Sequence, residues 1–141
     1  MGLRRVPQKE IHDMGLTHVP VTVSNLITQD SFTAKFLIDT GASEPMVAAD
    51  DLRKIGIEPT GKRVYEMANG QWAEFEVGAA QISFCEETFP IRVIFGPDGC
   101  EPILGVIALE SAGFMIDPKN QTLTKLKVFP LKKVAAAIAA R

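Results

Sequence analysis

Cysteine is nearly absent. The 141 residues carry only Cys85 and Cys100, in no C-x-x-C arrangement, which excludes a disulfide scaffold and a cysteine-built zinc ribbon. Both are read as reduced thiols outside the chemistry: Cys85 falls in a strand pattern, and Cys100 lies in a loop beside Glu101 with no base to activate it. Histidine is as scarce. His12 and His18 have no cysteine or acid at metal-ligand spacing, so both are expected at the surface and no metal or cofactor enters the reading. No apolar run approaches the ~20 residues of a membrane helix, and Met1-Gly2-Leu3-Arg4-Arg5 runs into polar sequence rather than a signal-peptide core. Neither sign of charge dominates: 15 Lys and Arg against 17 Asp and Glu leave −2, too little to attract a phosphate backbone or an anionic lipid surface. Nucleic acid and membrane are therefore set aside as partners, and a cytoplasmic location is the default. Gly96-Pro97-Asp98-Gly99 lacks the lysine and following helix of a phosphate loop. Gly41-Ala42-Ser43-Glu44-Pro45 breaks the G-x-S-x-G serine-hydrolase pattern at its last position.

What is present describes one globular domain. With 46% hydrophobic and 23% charged residues, a chain of this length buries roughly two-thirds of its unfolded surface and needs no staple. Residues 1–13 show no apolar periodicity, and Met14-Gly15-Leu16 repeats the opening Met1-Gly2-Leu3. The stretch reads as a loose, dispensable leader with Met14 as an alternative start. Short β-type runs follow at residues 17–23 and 32–38. Residues 48–55 form the first credible helix, with Asp50 and Asp51 in its first turn, Arg53 and Lys54 in its last, and Gly56 to end it. Residues 63–68 and 71–77 flank Asn69-Gly70, the pair that supplies two positive-φ residues to a tight hairpin turn. Strands are expected at 80–84, 89–95 and 103–104, and a helix at 106–112 stopping at Gly113. Residues 114–116 and 122–128 are expected to pair across the turn 117–120. The alanine-rich residues 130–141 are a short helix-prone tail, marginal unless packed. Many strands with few helices predict a mainly β fold, a small barrel or folded sheet.

One segment carries chemistry. In Phe36-Leu37-Ile38-Asp39-Thr40-Gly41-Ala42-Ser43 an acid directly follows a hydrophobic strand, and a glycine then lets the backbone turn sharply. A carboxylate held at a strand end, among apolar neighbours and backbone N–H groups, is one whose proton affinity the protein can tune. The bland alternative is a turn whose aspartate merely accepts local hydrogen bonds.

The ordered set of features resembles the retroviral-type, or retropepsin-like, aspartic proteases, especially short prokaryotic members that begin near a Met-Gly-Leu-Thr pattern. The resemblance covers residues 14–126: a strand into Asp39-Thr40-Gly41-Ala42-Ser43, a short helix ending at Gly56, a hairpin at Asn69-Gly70 where the family has its flap, and Ile103-Leu104-Gly105 before a helix. It implies a retropepsin-like acid-protease domain at 14–129 with one or two short helices, forming half of a dimeric aspartic endopeptidase. With a single Asp-Thr-Gly in the chain, Asp39 would be the catalytic acid, paired with its counterpart across a homodimer two-fold axis. Thr40, Gly41, Ala42 and Ser43 would support the dyad and the substrate backbone. Met67, Ala68, Asn69, Gly70, Gln71 and Trp72 would form the flap, and Ile103, Leu104 and Gly105 the active-site floor. The substrate would be an extended peptide or protein segment.

Two departures are visible. Many viral members pair an acid two residues after the motif glycine with an arginine after the downstream glycine; here Ser43 and Val106 stand in those places, so the dimer contact must be arranged differently. The flap tip has Gly70 alone rather than several glycines. Glu44 and Pro45 are unusual beside the motif and would narrow the adjoining subsite. Trp72 is read first as hairpin packing and second as a substrate contact. The rival to an enzyme is a non-catalytic module that keeps this fold for dimerisation or peptide binding; a latent enzyme covered by its leader or tail is a third reading.

Overall fold

The computed structural model describes residues 3–5, 18–117 and 122–129. Strand β2 (His18–Ser24) buries Val19, Val21 and Val23 on one face, as its alternating sequence requires. It pairs antiparallel with β3 (Ser31–Ile38), with Val19 opposite Phe36 and His18 opposite Leu37. β3 continues in parallel to β8 (Ile103–Leu104), which meets β4 (Met46–Ala48), and β4 runs parallel to β7 (Glu87–Gly96). β7 pairs antiparallel with the 13-residue β6 (Trp72–Phe84), and Thr22 to Ser24 of β2 return to pair with Gln81 to Ser83 of β6. That last pairing closes β2, β3, β8, β4, β7 and β6 into a barrel, which leaves β5 as the strand with an unpaired side in this sheet. β5 (Gly61–Glu66) hangs on the outside of β6 and carries the chain out to a hairpin tip. Among the described residues the fold is mainly β with two short helices, as the sequence pattern predicts.

Inside the barrel Phe36, Leu52, Ile82, Leu104 and Leu109 are fully buried, each contributing about 1.5–3 kcal/mol of transfer free energy. Helix α1 (Ala49–Lys54) supplies Leu52. It ends as expected at Gly56, where the Gly56 and Ile57 N–H groups bond to the carbonyls of Arg53 and Leu52 in a Schellman arrangement. Helix α2 (Val106–Ser111) supplies Ala108 and Leu109. β9 (Phe114–Asp117) pairs with β10 (Thr122–Leu126), the expected terminal hairpin.

Several local expectations are corrected. β6 is one continuous strand rather than two segments broken near residue 78, because it finds partners along its whole length: β5 as far as Val77 and β7 from Val77 onward. The hairpin loop at Asn69-Gly70 spans residues 67–71, and only Gly70 has positive φ, at 82°. The tight two-residue turn with both residues at positive φ is instead Cys85-Glu86, at 49° and 67°, between Phe84 and Glu87. β4 has no sequence expectation behind it. Leu3–Arg5, inside the stretch read as a loose leader, form strand β1, which pairs with β10. The rest of the leader, Met14-Gly15-Leu16-Thr17, the turn at 118–120 and the tail at 130–141 lie outside the described residues. No helix among the described residues is long and apolar enough to cross a membrane.

Candidate active site

Asp39 stands where β3 runs out. The Leu37 N–H donates to the Pro102 carbonyl at 3.0 Å and the Asp39 N–H to the Leu104 carbonyl at 2.9 Å, so the parallel pairing with β8 continues up to the acid and fixes its backbone. A turn then begins: the Ala42 N–H donates to the Asp39 carbonyl at 3.1 Å, and the Gly41 N–H donates to Asp39 Oδ1 at 2.9 Å. The half-buried carboxylate is thus held by its own loop, with Thr40, Gly41 and Ser43 exposed around it and Ala42 partly buried.

The loop is clamped from the far side by the segment expected as the floor. The Val106 N–H donates to the Ala42 carbonyl at 2.8 Å and the Ile107 N–H to the Ser43 carbonyl at 3.0 Å. Between them Gly105 lies so close that a Cβ on it would collide with the Ser43 carbonyl and stand 2.7 Å from the Ala42 oxygen. Glycine is required here for close approach of two backbones, not for an unusual φ. Ile103, Leu104 and Gly105 are therefore brought against Asp39–Ser43.

His18 lies opposite Leu37 in β2, and Ile103 lies opposite Leu37 in β8. With the period of two, Asp39 projects to the same face as these three. His18, expected at the surface, is partly buried, its side chain 15% exposed and its Nε2 3.0 Å from Glu101 Oε2; its place beside β3 shelters it in part. His12 lies outside the described residues. The Cys100 thiol is pushed up from its ordinary pKa by burial and by the nearby Asp50 and Asp51 carboxylates, so it is held protonated and unreactive.

The hairpin tip is exposed from Met67 to Trp72. It is ordered by its own bonds: the Met67 N–H donates to the Gln71 carbonyl, the Gly70 N–H to the Met67 carbonyl, and the Gln71 N–H to Asn69 Oδ1. Trp72 is 77% exposed, which overturns its reading as a packed hairpin residue. It pairs with Glu66 and shares with Val64, Glu66 and Tyr65 the lining of a shallow recess on the hairpin.

Sequence reasoning singled out Glu44 as a residue narrowing a subsite, and missed that it joins the hairpin to the Asp39 loop. Glu44, three residues past Gly41, is only 4% exposed. Its Oε1 accepts from the Tyr65 hydroxyl at 2.5 Å, and its Oε2 accepts from Arg92 Nη1 at 3.1 Å with Arg63 Nη1 at 3.6 Å. Burial, then the Glu44 hydrogen bond and charge, push the Tyr65 phenol up to about 12. The available signal was an acid set directly before the apolar run Pro45-Met46-Val47-Ala48.

The molecule with this geometry has recognisable relatives. A retropepsin-like aspartic protease from Rickettsia conorii is 25% identical in sequence, with 89% of each chain covered and a TM-score of 0.57. A protease of simian foamy virus (mac) is 13% identical over 67% of this chain and 92% of that one, with a TM-score of 0.48. No curated protein matches. The family model described as "gag-polyprotein putative aspartyl protease" matches residues 25–111, a span that contains the Asp39 loop, the hairpin and the floor. The chain therefore belongs to the gag-polyprotein aspartyl protease family and has its retropepsin-like fold.

Proposed function

We propose that the protein is an aspartic endopeptidase whose site forms when two copies bring their Asp39 side chains together. The observation that carries this reading is the fixed placement of a single acid: Asp39 is bonded through its backbone to Leu104 and through Oδ1 to the Gly41 N–H, at a half-exposed position. One chain offers one such acid, and hydrolysis of this type needs two, so a two-fold homodimer supplies the second. Two facing carboxyl groups cannot both ionise, and the pair shares one proton, as in aspartic proteases generally.

In the reaction the ionised member takes a proton from a water molecule while that water attacks the scissile carbonyl carbon. The protonated member gives its proton to the carbonyl oxygen. The tetrahedral intermediate then collapses: the protonated member gives a proton to the leaving nitrogen, the ionised member takes one from a hydroxyl of the intermediate, and the C–N bond breaks, which restores the single proton of the dyad. Thr40, Gly41, Ala42 and Ser43 support the dyad and the peptide backbone, the 67–72 hairpin closes over an extended substrate, and Ile103 to Gly105 floor the site. No cofactor enters these steps, and the expected setting is the cytoplasm.

The test is peptide-library digestion between mildly acidic and neutral pH, read by mass spectrometry, with sedimentation of the same sample. Asp39→Asn abolishes all products while folding and dimerising like the wild type. Products that persist in Asp39→Asn refute the dyad; peptide binding without products in the wild type assigns the fold to a non-catalytic module.

A further inference from the structure

We propose that Glu44 is a positioning residue for the flap, its buried carboxylate gripping Tyr65 and so fixing the hairpin tip relative to Asp39. β5 is held on one side only, by its ladder to β6, and of Gly61–Glu66 only Tyr65 is not exposed. Its ring leans on Phe75 of the neighbouring strand, with centroids 6.2 Å apart, and its hydroxyl ends on Glu44. Tyr65 lies two residues before the tip begins. Glu44 is as firmly set at the other end, because the next residue, Pro45, accepts the Ile94 N–H at 2.8 Å and the preceding Ser43 carbonyl holds the start of α2. A short chain of fixed bonds therefore runs from Asp39 through Glu44 to the flap arm.

The partners of Glu44 argue that the carboxylate serves position more than stability. Both oxygens are engaged, one by Tyr65 and the other by Arg92 and Arg63, which leaves little for a substrate to bind. Arg63 and Arg92 are each about half exposed, at 51% and 50%, so most of the desolvation cost falls on the carboxylate. An apolar side chain would fill the same place without that cost. What an apolar residue could not do is orient a phenol hydroxyl in one direction.

This inference rests on the peptidase reading for its effect on turnover, but not for its effect on the flap. Tyr65→Phe removes one hydroxyl and keeps the ring; Glu44→Gln removes the charge at nearly constant volume. In either variant, amide exchange at Met67 and Gly70 rises about tenfold well below the unfolding temperature. On a cleaved peptide, KM rises about fivefold while kcat stays within about twofold. The double variant is no worse than the worse single one, since both break the same link. Ile82→Val, a core change distant from the hairpin, lowers stability without moving tip exchange or KM. Unchanged exchange in Tyr65→Phe overturns the inference, as do additive effects or an unchanged KM in a wild type that cleaves. If Glu44→Gln fails to fold, Tyr65→Phe alone decides. If the wild type cleaves nothing yet tip exchange rises in Tyr65→Phe, the positioning role stands and the peptidase reading falls.

Discussion

The carbonyl of Ser43 occupies the place where a side chain on Gly105 would have to stand. The two residues belong to segments more than sixty positions apart in the chain, and their contact joins the Asp39 loop to the start of α2. The site is thus built from two backbones in direct apposition.

Replacing Gly105 by alanine forces those backbones apart. Overpacking of this kind costs about 1–3 kcal/mol, and here the displaced atoms include the carbonyls that hold Val106 and Ile107. Urea unfolding of Gly105→Ala shows a lowered midpoint with an unchanged slope, and any peptidase activity falls further than stability does. A variant as stable as the wild type contradicts the packing described.

The turn at Cys85-Glu86 keeps two non-glycine residues at positive φ. The left-handed region costs an ordinary residue about 1–2 kcal/mol, part of which glycine gives back through its freer unfolded chain. Glu86→Gly, at an exposed position, therefore stabilises the protein by about 0.5–1 kcal/mol, read as a higher thermal midpoint. Destabilisation would mean that the Glu86 side chain makes a contact worth more than the strain.

Tyr65 is the sole tyrosine, so phenolate absorbance titrates it directly. Its pKa is raised from 10.0 to about 12 by burial first and by Glu44 second. The folded protein holds this proton more tightly than the unfolded chain. The stability so gained is complete below pH 10, and it is lost as pH rises through about 12. In Glu44→Gln the absorbance midpoint moves down part of the way toward the ordinary value, because burial remains while the hydrogen-bonded charge is gone. A midpoint that does not move would separate Tyr65 from Glu44.

Much of this fold is legible in the residues. Period-two alternation marks Val19, Val21 and Val23 as one face of a strand, and a helix starting with Asp50 and Asp51 and closing at Gly56 announces both its ends. Asp39 is legible because a strand, an acid and a glycine follow one another without a gap. What stays hidden depends on partners distant in the chain. Nothing local in Glu44 points to Tyr65, 21 positions away, or to Arg92, 48 away. His18 is sheltered only because β3 and Glu101 come beside it. Asn69-Gly70 has the composition of a two-residue turn, yet the register of β5 against β6 sets a five-residue loop there, while the tight turn falls on Cys85-Glu86 because Phe84 and Glu87 are already paired.

Strand β6 spans 13 residues from Trp72 to Phe84, about 43 Å at the usual rise per residue. Its inner half is riveted into the barrel by β7 and β2, and its outer half bears only β5. The changeover falls at Val77, which pairs with both Gly61 and Ile94. Mechanically β6 is a cantilever: the beam that carries the hairpin is rooted in the barrel by two neighbours on its inner half, and its outer half rests on β5 alone, so a load on the tip is borne first at Val77.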